Sequence, residues 1–251
     1  MKRINLILLL LTCFISTHCT TEKHQFPLDK RYWDLVDYEA SILELNYGYD
    51  TDEKLPNFND PETRLIVEKL TDHQNFKVVL DDEELGLKHR NEYAQKFFTQ
   101  WKNMSKIYKD QDRKDQYLYD KEMLAVWHFG LDLQVRYFTL ANTEIKESAD
   151  DPNASKVSYT LNKNLESMIN NYLIYMDELN NEKAFSEEGK EILAEGIDTY
   201  FTELVEIYPE ANFDKMKKKA ELMLKKSESD KVKSSLERLI DLIDSKKTAN
   251  L

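Results

Sequence analysis

Glycine and proline are scarce in this chain, with five of each in 251 residues. Turn-rich β folds and phosphate-cradling loops need many more of both, so long helices are the expected framework. Cysteine is scarcer still. Cys13 and Cys19 are the only two, and both lie near the amino terminus. Downstream of Cys19 there is no thiol for a disulfide, a zinc cysteine cluster or a nucleophile, so stability has to come from a packed core. The metal and catalytic signatures are missing as well. None of the five histidines stands in a Glu-x-x-His or His-Glu-x-x-His pattern, and no Gly-x-Gly-x-x-Gly, Gly-x-x-x-x-Gly-Lys, Gly-x-Ser-x-Gly or Ser-x-x-Lys occurs. No cofactor and no metal site is expected.

Positive charge is in the minority, with 35 basic against 47 acidic residues. That balance disfavours nucleic acid and, in general, anionic surfaces. One segment departs from it. Lys215, Lys217, Lys218, Lys219, Lys225 and Lys226 crowd into twelve positions. They read either as the solvated face of an amphipathic helix or as a patch for a membrane or an acidic partner.

The first residues have a distinct organisation. Lys2 and Arg3 precede a nearly unbroken apolar stretch, Ile4 to Ile15, and Ser16, Thr17 and His18 lead to Cys19. A charged start, a short apolar stretch and a polar exit describe a secretory signal. The stretch falls short of the roughly 20 apolar residues that a spanning helix needs. With Cys19 at its end, the segment resembles a bacterial lipoprotein signal. The resemblance implies lipidation of Cys19, a membrane held through that lipid, and an exported protein on the bacterial outer membrane. The segment departs from the usual pattern, because Ser16 and His18 stand where Leu and a small residue are common. Cys13, preceded by Leu10, Leu11 and Thr12, is an alternative anchor, and ordinary cleavage after Cys19 is another. The expected organisation is a signal at 1–18, a tether at 19–28 and one helical domain at 29–247. Removal of the signal leaves 33 basic against 47 acidic residues, about −14.

Apolar residues recur at helical spacing along most of the remainder. Trp33, Val36, Ala40, Leu43 and Tyr47 suggest the inward stripe of a first helix over about 29–47. Asp60-Pro61-Glu62 reads as a helix start. Phe76 to Leu80 reads as a strand fragment or a buried connection. A periodic helix is expected over 83–108. The next, over 115–146, is apolar nearly all round and is therefore expected at the centre of a bundle. Gly130 within it suggests a close helix crossing. A break at 149–152 precedes a helix whose stripe includes Leu165, Met168, Tyr172 and Met176. Ser186, Asn212 and Ser229 are expected to cap the last three helices. The sum is an all-α bundle of about eight helices, with Trp33, Trp101 and Trp127 in its core.

One constellation could carry chemistry. His128, Asp132 and Arg136 are spaced by four along the central helix, which puts them on one stripe with Asp132 able to touch both neighbours. A binding reading has Asp132 orienting His128 while Arg136 holds an anionic ligand. A structural reading makes the three a solvent-facing ladder or a satisfied network. The favoured expectation for function is a non-enzymatic, lipid-anchored helical envelope protein that binds a protein, a host factor or a glycan. The alternatives are a periplasmic small-ligand binder or enzyme at that stripe, and an immunity or inhibitor protein with a basic target.

Overall fold

The computed structural model describes residues 23–249 apart from 110–111, 114–115, 150–153 and 179. Cys13, Cys19 and the signal segment lie outside the described residues, as does most of the break at 149–152. The fold is all-α, as the periodicity predicts. Its helices are α1 (Leu35–Tyr47), α2 (Arg64–Leu70), α3 (Gln74–Leu80), α4 (Leu87–Met104), α5 (Asp120–Glu147), α6 (Ala154–Glu178), α7 (Glu187–Gly196), α8 (Thr202–Ile207), α9 (Asp214–Leu224) and α10 (Asp230–Ala249). Helices α7 and α8 are joined without a break by a π turn, Ile197–Phe201. The described β structure is a two-residue antiparallel pair, Asp112–Arg113 with Gln116–Tyr117.

Helix α5 is the axis of the bundle. It packs against α4, α6, α7 and the π turn, and α9 and α10 close the far side against α6 and α7. The core is continuous from Trp33 to Ile243. All three tryptophans are buried in it. Gly130 makes the α4–α5 crossing possible, because a methyl group there would overlap the Trp101 indole. That indole donates through Nε1 to the Val126 carbonyl, 3.0 Å away.

Several helix starts follow from local chemistry. Asp34 accepts from the Val36 and Asp37 amides while Asp37 accepts from the Asp34 amide, a reciprocal cap on α1. Ser186 caps α7 by accepting from the Gly189 amide. Ser229 Oγ accepts from the Val232 amide at 3.4 Å, over the first turn of α10. Asn212 accepts from the Asp214 amide at 2.9 Å, although the residue in the cap position is Phe213.

The structure corrects three expectations. The stripe assigned to the inside of α1 faces out: Val36 is 74% exposed, Leu43 53% and Tyr47 82%. The buried face is Tyr38, Ser41, Ile42 and Leu45. Both sets have helical spacing, and Trp33, which anchored the first reading, lies before the helix and is held by Asn75 (Trp33 N–H to Oδ1, 2.7 Å). Phe76 to Leu80 belongs to α3 rather than to a strand or an irregular connection. The chain after Asp60-Pro61 makes a turn first, and helix α2 begins at Arg64.

Gly130→Ala is expected to destabilise the fold by about 1–3 kcal/mol even though alanine is the better helix former, because overpacking at Trp101 outweighs propensity. Urea denaturation of the two proteins measures the difference, and a gain in stability would contradict the close crossing.

Candidate functional site

Two helix faces build the polar centre of the molecule. On α5, Asp132 and Arg136 are one turn apart, and Arg136 Nε donates to Asp132 Oδ1 at 2.8 Å. Facing them are His73, just before α3, and Lys77 on α3, also spaced by four. His73 Nδ1 donates to Asp132 Oδ2 at 2.6 Å, and Lys77 Nζ lies 2.7 Å from the same oxygen. Arg136 also pairs through Nη1 with Asp81 just beyond α3. Asp132 is thus a buried carboxylate with three donors. Burial alone would raise its pKa, but the hydrogen bonds from His73, Lys77 and Arg136 prevail and hold it well below the usual carboxylate range.

His128 is the unexpected member. It shares the stripe, but the imidazole that meets Asp132 belongs to His73. The pairing of Asp132 with His128 is therefore corrected, and so is the picture of a solvent-facing ladder, because His128 and Asp132 are both buried. The sequence spacing allowed an i, i+4 contact, yet α3 presents a donor closer to the carboxylate. His128 packs between the aromatic rings of Tyr175 and Tyr200, with centroids 6.3 and 5.1 Å away, and its Nε2 has no hydrogen-bond partner among the described residues. Burial, and then the neighbouring His73, push the His128 imidazole down to about 3.

The element that closes over His128 is the π turn. Gly196, at its start, lies against the imidazole, and a methyl group there would overlap Nε2. The wider turn places Tyr200 on the ring and within 6.0 Å, centroid to centroid, of His73. Burial, then the charges of Asp132 and Glu203, raise the Tyr200 phenol to about 12. Glu203, one turn further on, is raised by burial and then by Asp132. Inserted π turns often mark positions where a helix bends around a particular group.

Sequence reasoning brought Asp132 and Arg136 together correctly and missed His73, Lys77, Gly196 and Tyr200. The signal for the first two was their own i, i+4 spacing, hidden when Phe76 to Leu80 was read as a possible strand. The signal for the others was a glycine inside an otherwise helical, aromatic-rich stretch.

Arg136 also reaches an open groove of about 430 Å3, walled by Leu80, Val135, Leu140 and Ile207 and edged by Arg90, Asp81 and Glu203. Its charges have both signs, and the Arg136 guanidinium is already bonded to two carboxylates. Asp81 and Glu203 beside it disfavour an anionic ligand by like charge. Among the described residues no group of three or more His, Cys, Asp or Glu side chains is placed to hold a metal ion, and no helix is long and apolar enough to cross a membrane. Compared with known proteins, the chain matches no family model, no curated protein and no solved structure.

The imidazole provides a pH test with a definite sign. His128 titrates near 3 when folded and near 6.5 when unfolded. Between those values the unfolded chain binds a proton that the folded chain refuses, so stability falls as pH falls through that window. Asp132 adds to the loss in stronger acid, because its depressed pKa contributes stability above the ordinary carboxylate value that disappears below it. Replacing His128 by Leu should flatten the stability profile between pH 6.5 and 3. The difference from the native protein should approach a slope of about 1.4 kcal/mol per pH unit. Parallel profiles would contradict a buried, neutral His128.

Proposed function

We propose that the protein is a non-enzymatic, lipid-anchored helical protein of the bacterial envelope that binds another protein through the outer face of α1. The observation that carries this reading is the exposed stripe Val36, Ala40, Leu43 and Tyr47. Leu43 and Tyr47 also border a groove of about 150 Å3 against Gln100 and Asn103 of α4 and Lys106 beyond it. Isolated apolar side chains on a surface are ordinary, but a stripe at helical spacing beside a groove fits an apolar helix from a partner. Of the carboxylates of α1, Asp37 is buried and paired with Lys30, and Glu44 meets His24, which leaves Glu39 exposed on this face opposite Lys106 across the groove. The fitting partner is therefore a helix recognised by its apolar stripe.

The polar centre supports a structural rather than a catalytic role in this reading. Asp132 and Arg136 are committed to each other and to α3, and His128 is sealed beneath Tyr200. The anchor at Cys19 rests on the resemblance of residues 1–19 to a lipoprotein signal. It implies incorporation of labelled fatty acid that Cys19→Ser abolishes.

A photocrosslinker placed at Leu43 in the membrane-anchored protein should trap one discrete partner in cells of the native host. Val36→Glu with Leu43→Glu should remove that product and leave stability within about 0.5 kcal/mol, as for other exposed positions. An unchanged crosslink in the double variant would refute α1 as the binding face. Retained membrane fractionation and labelling in Cys19→Ser would refute the anchor separately.

A further inference from the structure

We propose that α9 presents a second interaction surface, a lysine face around Leu222 that lies on an anionic bilayer. The inference stands on α9 alone and not on the anchor at Cys19 or on the α1 stripe. Buried Met216, Ala220 and Met223 fix the inward side of this helix. At 100° per residue, Lys218, Leu222 and Lys225 then fall on the opposite side, with Lys215 and Lys226 along one border of that face. All five are exposed, and Leu222 is 52% exposed at the centre of the group.

Two features distinguish this face from an ordinary solvated one. The lysines at its border are neutralised, Lys217 by Asp244 at 2.6 Å and Lys219 by Asp177 of α6. Lys218, Lys225 and Lys226 form no ion pair among the described residues, although carboxylates outnumber basic groups in the chain. Lys215 makes no ion pair among the described residues either, although it lies near enough to Glu166 to help lower that carboxylate. In addition, the two acidic residues of α9, Asp214 and Glu221, which line the other border of the face, are turned toward Lys247 and Lys217. What remains is a cationic surface with an apolar side chain at its middle on an otherwise acidic protein. The occupant with matching chemistry is a sheet of phosphate head groups over hydrocarbon. Each lysine attracts phosphate without demanding a fixed geometry, and Leu222 reaches the boundary between head groups and acyl chains.

The test is co-sedimentation of the full chain with vesicles of phosphatidylglycerol and phosphatidylethanolamine, compared with vesicles of phosphatidylcholine. The native protein should bind the anionic vesicles at least about tenfold more tightly, a preference that high salt removes. Lys218→Gln, Lys225→Gln and Lys226→Gln together should abolish the preference while melting at the native temperature. Any contribution of residues 1–19 is common to both proteins and cancels in the comparison. As a second readout, Leu222→Trp should shift its emission to the blue on anionic vesicles only, against the constant background of buried Trp33, Trp101 and Trp127. Equal binding to both vesicle types, or a preference that survives the triple substitution, overturns the proposal. Retention on immobilised polyglutamate without any binding to anionic vesicles also overturns it, and assigns the face to an acidic protein partner instead.

Discussion

A helix buried along most of its length has to satisfy or neutralise the polar groups it carries, and α5 carries several. The Asp132 carboxylate is the most demanding, because an ionised group away from water is tolerable only when closely paired. Its three donors come from α5 itself, from α3 and from the residue that precedes α3. That requirement fixes where α3 sits. The position of α3 in turn sets the wall of aromatic rings made by Phe76, Phe97 and Phe129, whose centroids are 4.9 Å apart for the Phe76–Phe129 pair.

The same logic operates along the length of α5, one neighbour at a time. Asp120 accepts from both the amide and the hydroxyl of Ser186, which ties the start of α7 to the start of α5. Glu122 accepts from the Phe58 amide at 2.6 Å and holds the long connection before α2. Gln134 and Asn142 accept from Asn171 and Asn164 of α6. An all-round apolar helix could rotate or slide against its partners with little change in buried area. Polar contacts of this kind select one register, and their contribution is to specificity more than to net stability. His128 differs because its Nε2 has no partner among the described residues. Neutrality is what makes its burial tolerable, and the π turn shapes the opposing helix around it.

How much of this was legible in the sequence depended on whether one helix or two had to be read. The central position of α5, the close approach at Gly130 and the cap at Ser186 each follow from residues near one another in the chain, and each is found. The Asp132–Arg136 bond is local and was foreseen, whereas the bonds from His73 and Lys77 span more than fifty residues and were not. Helix α1 shows the opposite limit. Its two faces are almost equally apolar, so periodicity could not say which turns inward. The tertiary contact of Tyr38 with the Leu70 carbonyl, 2.6 Å, and with Asn75 decides it. The residue types at the candidate site indicated polar chemistry, but only the packing revealed that the groups are spent on each other. That is why the partner-binding reading rests on the outer face of α1 instead of on the charged centre.

The central claim is that Asp132 is bonded into the framework and not held ready for a ligand. Equilibrium unfolding of Asp132→Ala beside a variant in which His73, Lys77, Asp132 and Arg136 are all replaced by apolar residues of similar size tests it most directly. A structural junction predicts a loss of roughly 1–3 kcal/mol for the single change, because the part-buried His73 and Lys77 lose their shared acceptor while Arg136 keeps Asp81, and recovery of most of that loss in the fourfold variant. A single variant as stable as the native protein, or more stable, would contradict the account and mark Asp132 as a group kept at a cost for function.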